Sequence, residues 1–137
     1  MHQVTAAEGF VLAACASGLA ASTDRGVNWS TRDDGLERVY ARAVAISGDA
    51  VLLSASDGPR GGHAAVYRGA VADGPLERCT DEPFDGNIDS HCLDALPDGT
   101  AAAFGTADGR LFASVDEGAT WQDAGTVPGA VRSVLLI

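Results

Sequence analysis

Polar side chains near the middle of the sequence are spaced as calcium ligands often are. Asp85, Asn87 and Asp89 form a D-x-N-x-D pattern, which can offer alternating oxygens to Ca²⁺. The pattern lacks the following Gly and the distal Glu of an EF-hand loop, and it also suits a polar surface loop. His2 and His63 stand alone, and we expect both to be exposed. We therefore predict no catalytic, cofactor or metal site, while calcium at this loop stays an open alternative.

The three cysteines are an odd number for a disulfide framework. Cys15 falls in an apolar run and is expected to be a buried strand residue. Cys79 and Cys92 could form a disulfide if their strands are neighbours, but in a reducing cytosol they would stay thiols. With His91 they supply at most three soft ligands, one short of a closed structural zinc site. A structural or unpaired role is the simpler interpretation.

Two further segments share the pattern S-x-D-x-G-x-x-W, and we call them the Asp turns. Their residues are Ser22, Asp24, Gly26 and Trp29 in one copy, and Ser114, Asp116, Gly118 and Trp121 in the other. A tight turn needs a residue with positive φ, which Gly supplies without a Cβ clash. The Asp carboxylate can accept from the N–H groups of the turn, and the Ser hydroxyl can join that network. Each Trp then begins an outer strand and is expected to pack between sheets.

The Asp turns belong to a longer repeat of short apolar strands separated by Gly- and Asp-containing turns. The second strand of each repeat lies within residues 10–18, 50–58 and 100–108. The first strands are predicted at 4–6, 43–46 and 92–96, with a fourth version at 131–137, and the third strands at 19–22, 65–68 and 111–114. The unit is therefore strand–turn–strand–turn–strand–turn–strand, about 40–50 residues long.

The middle repeat departs from this pattern. Its segment 69–78 lacks the Asp and Trp of the turn, although Asp73-Gly74 could still form a turn and Leu76 an apolar plug. It also carries insertions at residues 59–63 and 80–90. Insertions in one repeat usually map to loops on one face, which is often the binding face.

Four-stranded antiparallel units of this length are typical of β-propeller blades. A helical solenoid would need apolar stripes of period 3.6, and a β-sandwich would not repeat this internal order. We predict one all-β propeller segment over residues 1–137, with repeats at about 1–38, 39–88 and 89–128 and the start of another at 129–137. About three blades do not close a ring, since propellers need at least about four. We expect either a longer chain or a second copy (a homodimer) to complete it.

Composition limits the possible partners. The net charge of −10, with no Lys at all, argues against nucleic acid or an anionic membrane surface. No apolar run is long enough to span a bilayer. The segment 12–15 matches the short pattern that precedes a lipid-modified Cys in bacterial lipoproteins. However, the residues before it contain Glu8, lack any Lys or Arg, and are too few for the apolar region of a signal peptide. We therefore predict a cytoplasmic protein without cofactors, whose ligand is an unidentified protein or carbohydrate.

The two Asp turns resemble the Asp-box, or BNR repeat, of sialidases and related propellers. In that family the box is a structural turn on the outer rim, away from the central channel where ligands bind. Sialidase-type catalysis, as the resemblance implies it, uses three Arg residues on the substrate carboxylate, a Tyr paired with a Glu, and an Asp acid/base.

This chain has two tyrosines, Tyr40 and Tyr67, and Arg42 and Arg132 hold nearly equivalent first-strand positions. The arginine-containing motif near the start of the first blade is not found. We predict a non-enzymatic binding or scaffold module that uses the insertions 59–63 and 80–90 for contact. The alternative is a fragment of a sialidase-type glycoside hydrolase whose catalytic residues lie mostly outside this chain.

Overall fold

The computed structural model of the protein describes all residues 1–137. It contains β-strands and no helix, so no helix could cross a membrane. Three four-stranded antiparallel sheets follow each other along the chain, and we call them blades 1, 2 and 3. Blade 1 contains β1 (Gln3–Ala7), β2 (Phe10–Cys15), β3 (Gly18–Ser22) and β4 (Ser30–Arg32). Blade 2 contains β5 (Tyr40–Ser47), β6 (Ala50–Ser56), β7 (Ala65–Ala70) and β8 (Glu77–Arg78). Blade 3 contains β9 (Leu93–Ala95), β10 (Ala102–Gly105), β11 (Arg110–Ser114) and β12 (Gln122–Thr126).

The predicted all-β architecture of propeller blades is confirmed. Within each blade the strands pair in sequence order, which is the meander that the repeated strand–turn pattern predicts. The first strands β1, β5 and β9 are neighbours on the inner side, and the array does not close into a ring.

Two hydrophobic cores hold the blades together, one on each side of blade 2. Because side chains alternate across a strand, β6 sends Val51 and Leu53 toward blade 1 and Leu52 toward blade 3. All seven residues of β6 are buried, as expected for a strand covered on both faces. In the first core β6 meets Leu12 and Leu19, and in the second the largest members are Phe104, Ile88 and Leu93.

The apolar plug predicted in the middle repeat is confirmed. Leu76 is fully buried in the first core, and Gly74 takes a positive φ of 104° in the turn before it. The turn at Asp73-Gly74 therefore forms without the Asp turn's side chains.

The C-terminal segment differs from its prediction. Residues 127–137 form no strand, so the expected first strand of another blade at 131–137 is absent. Val134 still donates its N–H to the carbonyl of His91 at 2.8 Å, and Val131 donates to the carbonyl of Thr106 at 3.1 Å. The segment thus follows blade 3, but scattered backbone bonds do not make the continuous ladder that a strand requires.

Candidate binding face

The two insertions of the middle repeat lie against each other at one end of the blades, which we call the insertion end. Ala64 and Phe84 exchange backbone hydrogen bonds of 2.9 and 2.6 Å, although the segments that contain them are far apart in sequence. A Cβ on Gly61 would lie 2.9 Å from the Cβ of Asn87. The Asp turn of blade 3 lies at the opposite end, where the side chain of Glu117 contacts the β5–β6 turn at Gly48.

Arg42 links both insertions to the inner strand β5. It lies in a β-bulge between Ala41 and Val44, a feature that redirects side chains out of a regular ladder. Its guanidinium donates to the carbonyl of Pro59 at 2.6 Å and lies 3.6 Å from the carboxylate of Asp89. Arg42 therefore holds one residue of each insertion beside the inner strand.

An aromatic and a histidine side chain flank Arg42 at the insertion end. The guanidinium carbon of Arg42 lies 5.2 Å from the centre of the Tyr40 ring, a cation–π distance. The His2 ring also packs on Tyr40, with the two ring centres 5.1 Å apart. The Tyr40 hydroxyl lies 3.4 Å from His2 Nε2. His2 Nδ1 lies 2.6 Å from the carbonyl oxygen of Ala41. The expectation that His2 is exposed and isolated is therefore wrong. The contact between β1 and β5 brings the His2 ring, which directly precedes β1, against Tyr40.

His63 also has a partner that the sequence did not indicate. Its Nδ1 lies 2.6 Å from a carboxylate oxygen of Asp57, and Arg38 contacts the other oxygen. The hydrogen bond from His63, followed by the charges of His63 and Arg38, lowers the pKa of Asp57. His63 is exposed as predicted, but the pair fixes the start and end of the insertion 59–63 rather than leaving the ring free.

Gln3 of β1 connects blade 1 to β5 and to the segment just before β9. Its side-chain nitrogen donates to the carbonyl of Val44 at 3.0 Å, while its side-chain oxygen accepts from the N–H of His91 at 2.7 Å. Nothing in the sequence marks a lone Gln for this role, because its partners come from two other repeats.

Two of the three side chains in the D-x-N-x-D pattern bond each other in the structure. The Asn87 amide donates to Asp89 at 3.0 Å, so its nitrogen, not its oxygen, faces that carboxylate. No three His, Cys, Asp or Glu side chains converge as metal ligands would.

All three cysteines are free thiols. The thiol of Cys79 donates to the carbonyl of Val66, and that of Cys92 donates to the carbonyl of Val131, each at 3.3 Å. Burial raises the pKa of both thiols, that of Cys79 to about 11.

The tyrosine and arginine positions that the family resemblance singled out lie in different surroundings. Tyr67 is fully buried between blades 1 and 2, and burial, together with the charge of Glu37, raises its pKa. Tyr40 and Arg42 lie together at the insertion end, whereas Arg132 is exposed on the C-terminal segment.

The Asp turn of blade 1 forms the local network that its sequence predicts. The hydroxyl of Ser22 donates to Asp24 at 2.8 Å and accepts from the N–H of Gly26 at 2.8 Å. Asp24 accepts from the N–H and the side-chain amide of Asn28 at 2.8 and 2.7 Å. These bonds, led by the Asn28 N–H, lower the pKa of Asp24 to about 2.

Blade 3 repeats this network with Thr120 in the place of Asn28. Asp116 accepts from the hydroxyl and the N–H of Thr120 at 2.5 and 2.9 Å and from the hydroxyl of Ser114 at 2.7 Å. These bonds lower the pKa of Asp116 to about 2, and the bond from the Thr120 hydroxyl has the largest effect. Every partner of the carboxylate belongs to the turn itself.

The backbone of the Asp turns is more strained than expected. Two successive residues in each turn have positive φ, Arg25 at 62° with Gly26 at 88°, and Glu117 at 57° with Gly118 at 79°. The sequence predicted only the Gly, because a non-Gly residue in this region is uncommon.

The two tryptophans differ in surroundings. Trp121 lies edge-on to Phe104, with ring centres 4.8 Å apart, and its N–H donates to the sulfur of Cys79 at 3.4 Å. Trp29 is 48% exposed and donates only to Gly26 of its own turn. Packing between sheets is therefore confirmed for Trp121, whereas no sheet within residues 1–137 covers Trp29.

Comparison with known proteins finds similarity in structure. Neither a protein-family model nor a curated protein sequence matches the chain. The solved GH74 xyloglucanase from Xanthomonas campestris is similar at 24% identity and a TM-score of 0.64, over 83% of this chain and 18% of that one. The GH74 enzyme from Niastella koreensis is similar at 20% identity and a TM-score of 0.65, over 89% of this chain and 17% of that one. The chain spans less than a fifth of each enzyme, and the likeness supports a propeller-like fold.

Proposed function

We propose that the chain is part of an Asp-box (BNR) type propeller and acts as a non-enzymatic module that binds carbohydrate. The hydrogen bonds of both Asp turns support the family, since Ser, Asp and Gly make the network that the motif needs. The similar structures are a GH74 xyloglucanase and a GH74 enzyme, which supports a polysaccharide-derived ligand.

The observation that carries this proposal is the position of Arg42. It brings both insertions next to Tyr40, so the insertion end presents a ring, a guanidinium and a carboxylate within one patch. Asp89 leaves 51% of its side chain exposed, and its oxygens can accept from sugar hydroxyls. A few convergent polar groups beside an aromatic ring are typical of small-molecule binding sites.

The test is calorimetric titration of the protein with a xyloglucan-derived oligosaccharide. We expect saturable binding that Asp89→Ala weakens by about tenfold, the equivalent of one good hydrogen bond. Tyr40→Ala should weaken it by a similar factor, because it removes the ring. Val115→Ser changes a residue that is 78% exposed in the Asp turn of blade 3, and it serves as the control that leaves affinity unchanged. Absence of binding, or binding that all three variants retain, would overturn the proposal.

The second candidate function is that of a fragment of a glycoside hydrolase, with most catalytic residues outside residues 1–137. The similar enzymes favour it, since both are GH74 proteins. The two functions are separated by incubating the longest natural protein that contains residues 1–137 with xyloglucan and, separately, with a fluorogenic sialoside, because residues 1–137 alone would lack most of the catalytic set. Reducing ends or fluorophore released above background would favour the hydrolase over the binding module.

A further inference from the structure

A groove of about 580 Å³ lies between blades 2 and 3, away from the inner strands. It opens because β8 is only two residues long, so the chain leaves the sheet at Cys79. Residues 80–83 form one wall, and Phe84 then returns to pair with Ala64 of blade 2. The volume falls within the range of small-molecule sites, about 300–1,000 Å³.

The floor of this groove is aromatic. Phe84 and Phe112 are half-buried, with ring centres 5.1 Å apart, and Phe112 stacks on the buried Phe104 at 4.8 Å. Trp121 is half-buried and completes the floor at the end next to the Asp turn. These rings leave an apolar surface that no other part of the chain covers completely.

Two kinds of accessible polar group surround the floor. The guanidinium carbon of Arg110 lies 4.9 Å from the centre of the Phe112 ring, and its side chain makes no hydrogen bond or ion pair within the chain. Its five N–H donors are therefore free for a ligand. Thr80 also lines the groove, but its hydroxyl is buried and does not reach the open space. Asp81 and Glu82 are exposed at the edge and add carboxylate acceptors.

We propose that this groove is a second binding site, which takes a pyranose ring of a neutral oligosaccharide. Half of its twelve lining residues are hydrophobic, which matches a sugar with an apolar C–H face and a rim of hydroxyls. The C–H face packs on the electron-rich faces of the rings, and the hydroxyls bond Arg110 and the carboxylates. Asp81 and Glu82 disfavour an acidic sugar. The ligand class rests on the proposed function, but the site shares no residue with the Tyr40–Arg42–Asp89 patch.

The two tryptophans allow a site-specific experiment. In a Trp29→Phe variant of the full chain, Trp121 is the only tryptophan, and it lies in the floor of the groove. This variant is titrated with the same xyloglucan-derived oligosaccharide while Trp121 emission and the heat of binding are recorded. We expect a saturable change in emission, weakened about tenfold by Arg110→Ala, the loss of one charge-assisted hydrogen bond. Arg132→Ala, a matched loss of an exposed arginine, is expected to change nothing.

Glu82→Gln provides a second variant, since Glu82 is exposed at the groove edge and offers a carboxylate acceptor. We expect the fold to keep its stability while the emission titration weakens. Heat of binding without any change in Trp121 emission would overturn the groove and leave the insertion-end proposal standing. No heat and no emission change would overturn both. An emission change with an aromatic peptide but not with the sugar would overturn the sugar as ligand.

Discussion

Arg32 of blade 1 donates a hydrogen bond of 3.1 Å to the carbonyl oxygen of Val71 in blade 2. The same guanidinium also donates to the carbonyls of Ala70 at 2.8 Å and Gly74 at 3.0 Å. These acceptors belong to the β7–β8 turn, which has no Asp turn of its own. A neighbouring blade thus supplies a side chain that bonds this turn, but it donates to carbonyl oxygens, whereas the Asp carboxylates of blades 1 and 3 accept from N–H groups.

Replacing Arg32 should therefore destabilise the β7–β8 turn. Arg32 is 7% exposed, and Arg32→Met would leave three carbonyl oxygens without their donor. We expect a loss of about 2 kcal/mol in the free energy of unfolding, measured by urea denaturation. Arg60→Ala, which removes an exposed arginine, is the control and should change stability little. Equal stability of both variants would show that Arg32 does not hold the turn.

The Asp turns predict a specific loss of stability in acid. The folded-state pKa of Asp24 and Asp116 is about 2, below the ordinary 3.8, so both bind a proton more weakly when folded. Their contribution is present above about pH 4 and is lost as the pH falls through about 2. Urea unfolding from pH 5 to pH 2 should show the advantage of the wild type over an Asp24→Asn/Asp116→Asn variant shrinking steadily. An advantage independent of pH would contradict this account.

Gly118 and Gly26 occupy the same position of the Asp turn but should tolerate alanine differently. Both have positive φ, which costs an alanine about 1 kcal/mol. At Gly118 the new Cβ would also lie 2.4 Å from a methyl carbon of the fully buried Leu52, whereas at Gly26 the nearest atom is 3.8 Å away in Trp29. We expect Gly118→Ala to lose about 1–3 kcal/mol more than Gly26→Ala in urea denaturation. Equal losses would mean that Leu52 moves aside freely.

The buried thiols should react slowly in the folded protein. Burial raises the pKa of Cys79 to about 11 and also raises that of Cys92, so little reactive thiolate forms near pH 8. In a Cys15→Ser variant, iodoacetamide should modify both residues slowly in buffer and rapidly in urea. Mass spectrometry without reductant should then show two added groups. No added group would reveal a disulfide between Cys79 and Cys92, and fast modification of the native protein would contradict the burial.

Local patterns were sufficient to predict much of the fold. The strands of the three blades, the burial of Leu76 and the hydrogen bonds of the Asp turns follow from residues close together in sequence. Asp24 and its partner Asn28, for example, are four residues apart, so the motif contains both halves of the interaction. The insertions 59–63 and 80–90 could likewise be identified from the repeat, although not their mutual contact.

The sequence by itself thus determined the repeat, its turns and its strand order, because these depend on alternation and on neighbours within one turn. Only the tertiary structure decided which blade face each side chain meets. Arg32 reaches Val71, Gln3 reaches His91, and Trp121 is covered where Trp29 is not. Each of these depends on how one blade packs against the next. The same packing, with the shortness of β8, opens the aromatic groove between blades 2 and 3.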